Sequence, residues 1–160
     1  MAFLCLILPA LLSLSPYQAK TVCRYEPEII KHSRAHNLEP ELVAAMIFVE
    51  SSFHRNVVST ANACGLMQVI PKWTGFRETA GVKYTCAQLK NPRTAIKVGT
   101  QILSYMIRRY AKGNLKQGLC YYNAGNRCIT QKNYYKKISY VKKVERVRDK
   151  IKIAKRKLGR

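Results

Sequence analysis

The order of apolar residues predicts a mainly α-helical single domain that ends in a basic helix. Three stretches carry that prediction. Leu42, Val43, Ala45, Met46, Val49 and Phe53 recur at helical spacing after Pro40. Ala95, Ile96, Ile102, Leu103, Met106 and Ile107 do the same after Asn91-Pro92, a helix-start signal. Tyr140, Val144, Val147, Ile151, Ala154 and Leu158 follow one another at steps of 4-3-4-3-4, an apolar seam on a cationic helix. The only β element expected is a small hairpin involving Val57-Val58 and Tyr84. A chain of 160 residues is the size of one domain and can bury a useful core.

Taken from the N-terminus, residues 2–14 form an apolar run too short to span a bilayer. With the polar residues that follow, it reads as a secretory signal peptide, residues 1–19, cleaved after Ala19. No Lys or Arg precedes the run, and a retained membrane anchor is the alternative. A first helix is expected over 26–36 around Ile29, Ile30 and Ala35, and a second over 40–53 with Pro40 at its start. Residues 54–64 read as a loop, and another helix is expected near Pro71. Residues 75–90 are irregular. The helix from Asn91-Pro92 reaches about Tyr110, and Lys112-Gly113-Asn114 breaks it. A short helix from Leu115 runs into Tyr122-Asn123-Ala124-Gly125, a turn signal. The expected division is a leader at 1–19, a domain at 20–143 and a basic helical tail at 144–160.

Charge and cysteine count bound the function. The 29 Lys and Arg against 8 Asp and Glu give a formal charge of +21, a surface that attracts polyanions. Nucleic acid, acidic lipid and anionic cell wall all qualify, and net charge does not choose among them. Residues 136–160 hold 12 of the basic residues and only two acids, Glu145 and Asp149. Their seam either packs back on the domain or pairs with a partner helix. Removal of a leader would leave Cys23, Cys64, Cys86, Cys120 and Cys128, an odd number in a chain whose export permits disulfides. Bridges Cys64–Cys86 and Cys120–Cys128 are expected, with Cys23 free; a 23–86 pairing is the main alternative. With no Cys-x-x-Cys, and histidines only at 32, 36 and 54, no metal or other cofactor is expected. His32 and His36 read as solvated surface residues.

Glu50 lies on the apolar stripe of the 40–53 helix, at i+4 from Met46 and i−3 from Phe53. An unpaired carboxyl there resists ionisation, and a raised pKa suits a general acid acting on a glycosidic oxygen. A helix-edge glutamate paired with Arg55 is the competing reading. Gly65-Leu66-Met67-Gln68 follows a small-residue loop; Gly65 permits a close backbone approach, and Gln68 offers a donor and an acceptor to sugar groups. Tyr122-Asn123 places an aromatic beside an amide, which suits a carbohydrate cleft or ordinary packing.

Glu50-Ser51-x-Phe53, Ser59, Gly65-Leu66-Met67-Gln68-x-x-Pro71, Leu89-x-Asn91-Pro92 with Gly99, Tyr122-Asn123-Ala124-Gly125 and Tyr140-Val141 occur in that order. Over roughly residues 26–143 the chain closely resembles the soluble lytic transglycosylase family. The resemblance implies a lysozyme-like, mostly helical fold with a cleft for a glycan strand. It implies cleavage of the β-1,4 bond between N-acetylmuramic acid and N-acetylglucosamine, leaving a 1,6-anhydro end. Glu50 then resembles the catalytic acid/base, and Ser59, Gln68 and Tyr122 are similar to residues lining the cleft. Ser51, Met67 and Asn123 fall inside the motifs as further candidates. There are departures: Asn62 replaces a usual glycine, and Lys136-Lys137 stand where many members have Glu-Thr.

Acids are scarce, and most glycosidases need two. Glu26, Glu28, Glu39, Glu41, Glu78, Glu145 and Asp149 are the others, and none is expected in a setting as apolar as that of Glu50. A single-carboxylate, non-hydrolytic mechanism therefore fits. The expected partner is the peptidoglycan glycan strand, met by a periplasmic or secreted monomer, with no specific nucleic acid. Such domains also serve secretion or conjugation apparatus. The competing readings are a cationic, non-catalytic module binding cell wall or nucleic acid, and a goose-type lysozyme hydrolase.

Overall fold

The structure is a computed structural model that describes residues 2–159. Nine α-helices are present among the described residues: α1 Phe3–Leu11, α2 Pro16–Ala35, α3 Pro40–Ser51, α4 Cys86–Leu89, α5 Pro92–Tyr105, α6 Leu115–Ala124, α7 Asn126–Thr130, α8 Tyr134–Lys137 and α9 Ser139–Leu158. The expected mainly helical fold holds. The small hairpin reduces to isolated antiparallel bridges, Val58 with Cys64 and Cys64 with Val69. Tyr84 takes no part in them; its N–H donates to Thr74 Oγ1 instead. The helix expected near Pro71 is a single 3-10 turn, Pro71–Trp73.

Helix α3 is the centre of the molecule. Leu42 through Ile47 are all buried, so α3 is apolar on every side rather than along a stripe. Pro40 stands at its first turn, where the missing N–H costs no hydrogen bond. Two left-handed residues, Ser52 (φ 49°) and Phe53 (φ 61°), end it. Left-handed backbone is unfavourable for phenylalanine, and burial of its ring to 1% exposure opposes that cost. Asn91 starts α5 by accepting from Arg93 N and Thr94 N.

The N-terminal region differs most from expectation. The first helix expected over 26–36 is instead the 20-residue α2, begun by a reciprocal cap between Ser15 and Gln18. The boundary expected at Ala19 falls inside α2. Residues 3–11 form α1, whose Leu4 and Leu8 are wholly buried in the main core. Glu26 of α2 accepts from Leu4 N at 2.7 Å and Cys5 N at 3.1 Å, satisfying first-turn donors of α1. The same packing brings Cys5 to Cys23, and the two are bridged, with Cα atoms 4.5 Å apart. Cys23 is therefore not free: the partner missing from an odd count is the cysteine that the leader reading removed. Cys64–Cys86 and Cys120–Cys128 are bridged as expected, and the 23–86 alternative is not formed. No described helix is long and apolar enough to cross a membrane.

The C-terminal seam packs back on the domain. Tyr140, Val141, Val144 and Ile151 of α9 are buried in the core shared with α1 and α3. The division expected at 143/144 thus cuts a continuous helix. Lys155 Nζ reaches Glu41 at 2.7 Å, and Lys152 pairs with Glu39. The seam ends at about Ile151, since Leu158 is exposed. His32 is half-buried and faces Glu28 at 3.4 Å, rather than lying free in solvent.

Candidate active site

Glu50 is the penultimate residue of α3, beyond the fully buried segment. Burial pushes its carboxyl up to about 7 from an ordinary 4.5. Its environment includes two tyrosines. The buried Tyr140 hydroxyl faces the carboxylate, favours its ionised form, and stops short of a full hydrogen bond to any described residue. Tyr122 feels the charge of Glu50 as well. Burial first, then that negative charge, raises both phenols well above their ordinary range, so both remain proton donors. Among the described residues Glu50 has no ion pair, and Arg55 is exposed.

The loop of residues 57–69 is tied to α3 through Ser51, whose Oγ contacts Leu66 O at 2.8 Å and Ile47 O at 3.1 Å. Gly65 has φ 77°, and a Cβ there would lie 2.0 Å from Leu89 O, so both reasons for glycine apply. Asn62 has φ 60°, a left-handed geometry that asparagine tolerates. Gln68 Nε2 donates to Gly65 O at 2.9 Å and Val57 O at 3.1 Å, which leaves Oε1 as the free acceptor. Ser59 Oγ accepts from Ala63 N and Ala61 N, shaping the turn. Met67 is wholly buried against Gly99, where a Cβ would approach its sulfur to 2.5 Å. Met67 O accepts from Tyr122 Oη at 2.7 Å.

The candidates thus divide. Glu50, Tyr122 and the Met67 carbonyl come together with Tyr140, a residue read from sequence only as part of the seam and the Tyr-Val block. Ser51 and the Met67 side chain hold the scaffold. Ser59 and Gln68 are half-buried in the 57–69 loop with their amide and hydroxyl largely committed to backbone. Asn123 is exposed and makes no side-chain hydrogen bond among the described residues. Lys136 and Lys137 are exposed on α8. The Cys120–Cys128 bridge closes the turn at Gly125 that follows Tyr122.

The other acids correct one expectation. Glu26 and Glu41 are buried within the range of the core residues, at 1% and 5% exposure. Each is compensated, Glu26 by the α1 amides and Glu41 by Lys155. Glu28 faces His32 and Arg93, Glu39 pairs with Lys152, and Glu78 accepts from Tyr110. Glu145 and Asp149 face Lys116 and Arg148. All seven are engaged, and Glu50 stands apart.

The transglycosylase SLT domain model matches residues 27–144. The chain belongs to that family. This SLT chain is 35% identical over 94 residues to "Membrane-bound lytic murein transglycosylase C" of Actinobacillus pleuropneumoniae serotype 5b (strain L20), covering 56% of this chain and 26% of that one. It is 32% identical over 126 residues to "Endo-type membrane-bound lytic murein transglycosylase A" of Enterobacter sp. (strain 638), covering 70% and 62%. Its fold is similar to that of the 70 kDa soluble lytic transglycosylase of Escherichia coli, with TM-score 0.68 and 20% identity, over 86% of this chain and 27% of that chain. The SLT chain spans about a quarter of the length of the first curated relatives it matches, 26%.

Proposed function

We propose that this SLT domain is a peptidoglycan lytic transglycosylase in which Glu50 is both general acid and general base. The observation that carries the reading is a near-neutral, unpaired Glu50 in a protein whose other seven acids are all engaged. The murein named in its relatives supports the substrate class.

Protonated Glu50 gives its proton to the glycosidic oxygen as the bond to the anomeric carbon breaks. The acetamide of the sugar stabilises the developing cation. Glu50, now ionised, takes the proton of the sugar's own 6-hydroxyl, whose oxygen bonds to the anomeric carbon. The products are a free 4-hydroxyl and a 1,6-anhydro end, and Glu50 is again protonated. Water is neither consumed nor needed. A pKa near 7 suits both halves of this cycle. Tyr140 favours the ionised carboxylate, Tyr122 stands nearby with its hydroxyl on Met67 O, and Ser59, Gln68 and Asn123 are assigned to the glycan cleft. The three disulfides support work in an oxidising compartment outside the cytoplasm.

Digestion of purified murein tests the reading. Anhydro-muropeptides, lighter by one water than hydrolysis products, are expected. Glu50→Gln should lower turnover by about 10²–10⁴-fold, the usual contribution of a general acid–base group. Hydrated products would favour the goose-type hydrolase. A folded Glu50→Gln chain with normal turnover would remove Glu50 from the chemistry.

A further inference from the structure

The segment between Ile70 and Cys86 is built inside out. Thr74 and Thr79 are its buried residues, each 1% exposed. The Thr74 hydroxyl donates to Pro71 O at 2.7 Å and accepts from Tyr84 N at 2.8 Å. The Thr79 hydroxyl donates to Val82 O at 2.8 Å and accepts from Gly75 N at 2.9 Å. Two hydroxyls therefore supply the interior that apolar side chains usually supply. The apolar side chains point the other way: Trp73, Phe76 and Val82 are 61%, 56% and 48% exposed. The Cys64–Cys86 bridge pins the base of this lobe to the 57–69 loop.

Single exposed apolar residues need no explanation, but three on a short lobe with a polar interior do. The charges beside them indicate what covers them. Lys72, Arg77 and Lys83 are exposed on the same lobe. Its one acid, Glu78, is engaged by the Tyr110 hydroxyl. Lys83 Nζ reaches back to Lys72 O, and the Lys72 ammonium lies 5.2 Å from the Trp73 ring centroid. An ammonium over one face of the indole disfavours that face as a platform for a sugar ring. Aromatic rings interleaved with cations suit the boundary between headgroups and acyl chains, where rings enter and ammonium groups meet phosphate.

We propose that the 71–85 lobe docks on an anionic phospholipid surface, with Trp73, Phe76 and Val82 entering the interface and Lys72, Arg77 and Lys83 contacting headgroups. The cationic α9 provides attraction over a distance; its seam is buried as far as Ile151 and beyond that it exposes only Ile153 and Leu158, five residues apart, whereas the lobe gathers three exposed apolar side chains within ten residues. The lobe adjoins the loop carrying Gln68, and docking would hold that loop at the bilayer.

Trp73 is the only tryptophan in the chain, so its fluorescence reports on this lobe alone. The full chain is mixed with vesicles of phosphatidylglycerol and phosphatidylcholine, with phosphatidylcholine vesicles, and with lipid-free murein. With the anionic vesicles, a blue shift and quenching by acyl-brominated lipid are expected. The response should fade as salt screens the headgroups, with a screening length of about 10 Å at 0.1 M. Phe76→Ser with Val82→Ser keeps the probe, changes only exposed side chains, and should lower the vesicle-bound fraction about tenfold through lost apolar area. Vesicle binding with Trp73 emission unchanged would assign the contact to α9 and overturn the proposal. An equal response to phosphatidylcholine, a response to murein alone, or undiminished binding of the double variant would overturn it too.

Discussion

Tyr122 Oη donates a 2.7 Å hydrogen bond to Met67 O, joining α6 to the 57–69 loop beside Glu50. The bond fixes where the phenol stands relative to the carboxylate it senses. Tyr122→Phe keeps the ring and leaves the Met67 carbonyl without this donor. We expect a loss of about 1 kcal/mol in stability, the usual net value of one hydrogen bond. Urea unfolding measures that loss, and kcat on murein should fall alongside it. An unchanged kcat would confine Tyr122 to the scaffold.

Stability should depend on pH through Glu50. Its pKa of about 7 in the folded protein lies above the ordinary 4.5. Between these values the folded state holds a proton that the unfolded state has released, so stability falls as pH rises. The contribution is present in full below about 4.5 and is lost as pH passes through about 7. The gap corresponds to about 3 kcal/mol. In Glu50→Gln this dependence should vanish, so urea midpoints of the variant should gain on wild type between pH 5 and pH 8. Turnover of the native chain should decline above pH 7 as the acid form is lost.

Peptide mapping without reduction should recover three linked pairs: Cys5–Cys23, Cys64–Cys86 and Cys120–Cys128. Cys5→Ser should leave a reactive Cys23 thiol and loosen α1. Cleavage after Ala19 would remove the first pair altogether. An intact mass lacking residues 1–19, with Cys23 titrating as a thiol, would show that α1 is not retained in the working protein.

Helix α9 should prove part of the core. Ile151 is wholly buried, and truncating it to alanine should cost about 2–5 kcal/mol. Deleting residues 148–160 removes Ile151 and the Lys155–Glu41 pair together. That deletion should lower the melting temperature markedly, whereas a deletion from Leu158, which is exposed, should not. A fully stable 1–147 chain would contradict this.

Legible in the sequence were the helical class, the start of α5 at Asn91, the position of Glu50 on α3 and, with a 23–86 pairing still open beside them, the pairs Cys64–Cys86 and Cys120–Cys128. Those features are local: spacing of apolar residues, a capping side chain, and cysteines that flank a turn or a loop. The tertiary structure decided the rest. An apolar run is the same string whether it is exported and removed or laid into a core, and the contacts of α1 with Glu26 and Cys23 of α2 join residues too far apart for any local pattern to report. A seam at 4-3-4 steps is equally silent about its partner until α3 proves apolar on every side and needs covering. Tyr140 shows the limit most directly. It is 90 residues from Glu50, and no periodicity reports a contact between residues so far apart. That meeting exists because α9 folds back across α3, driven by burial of Val141, Val144 and Ile151.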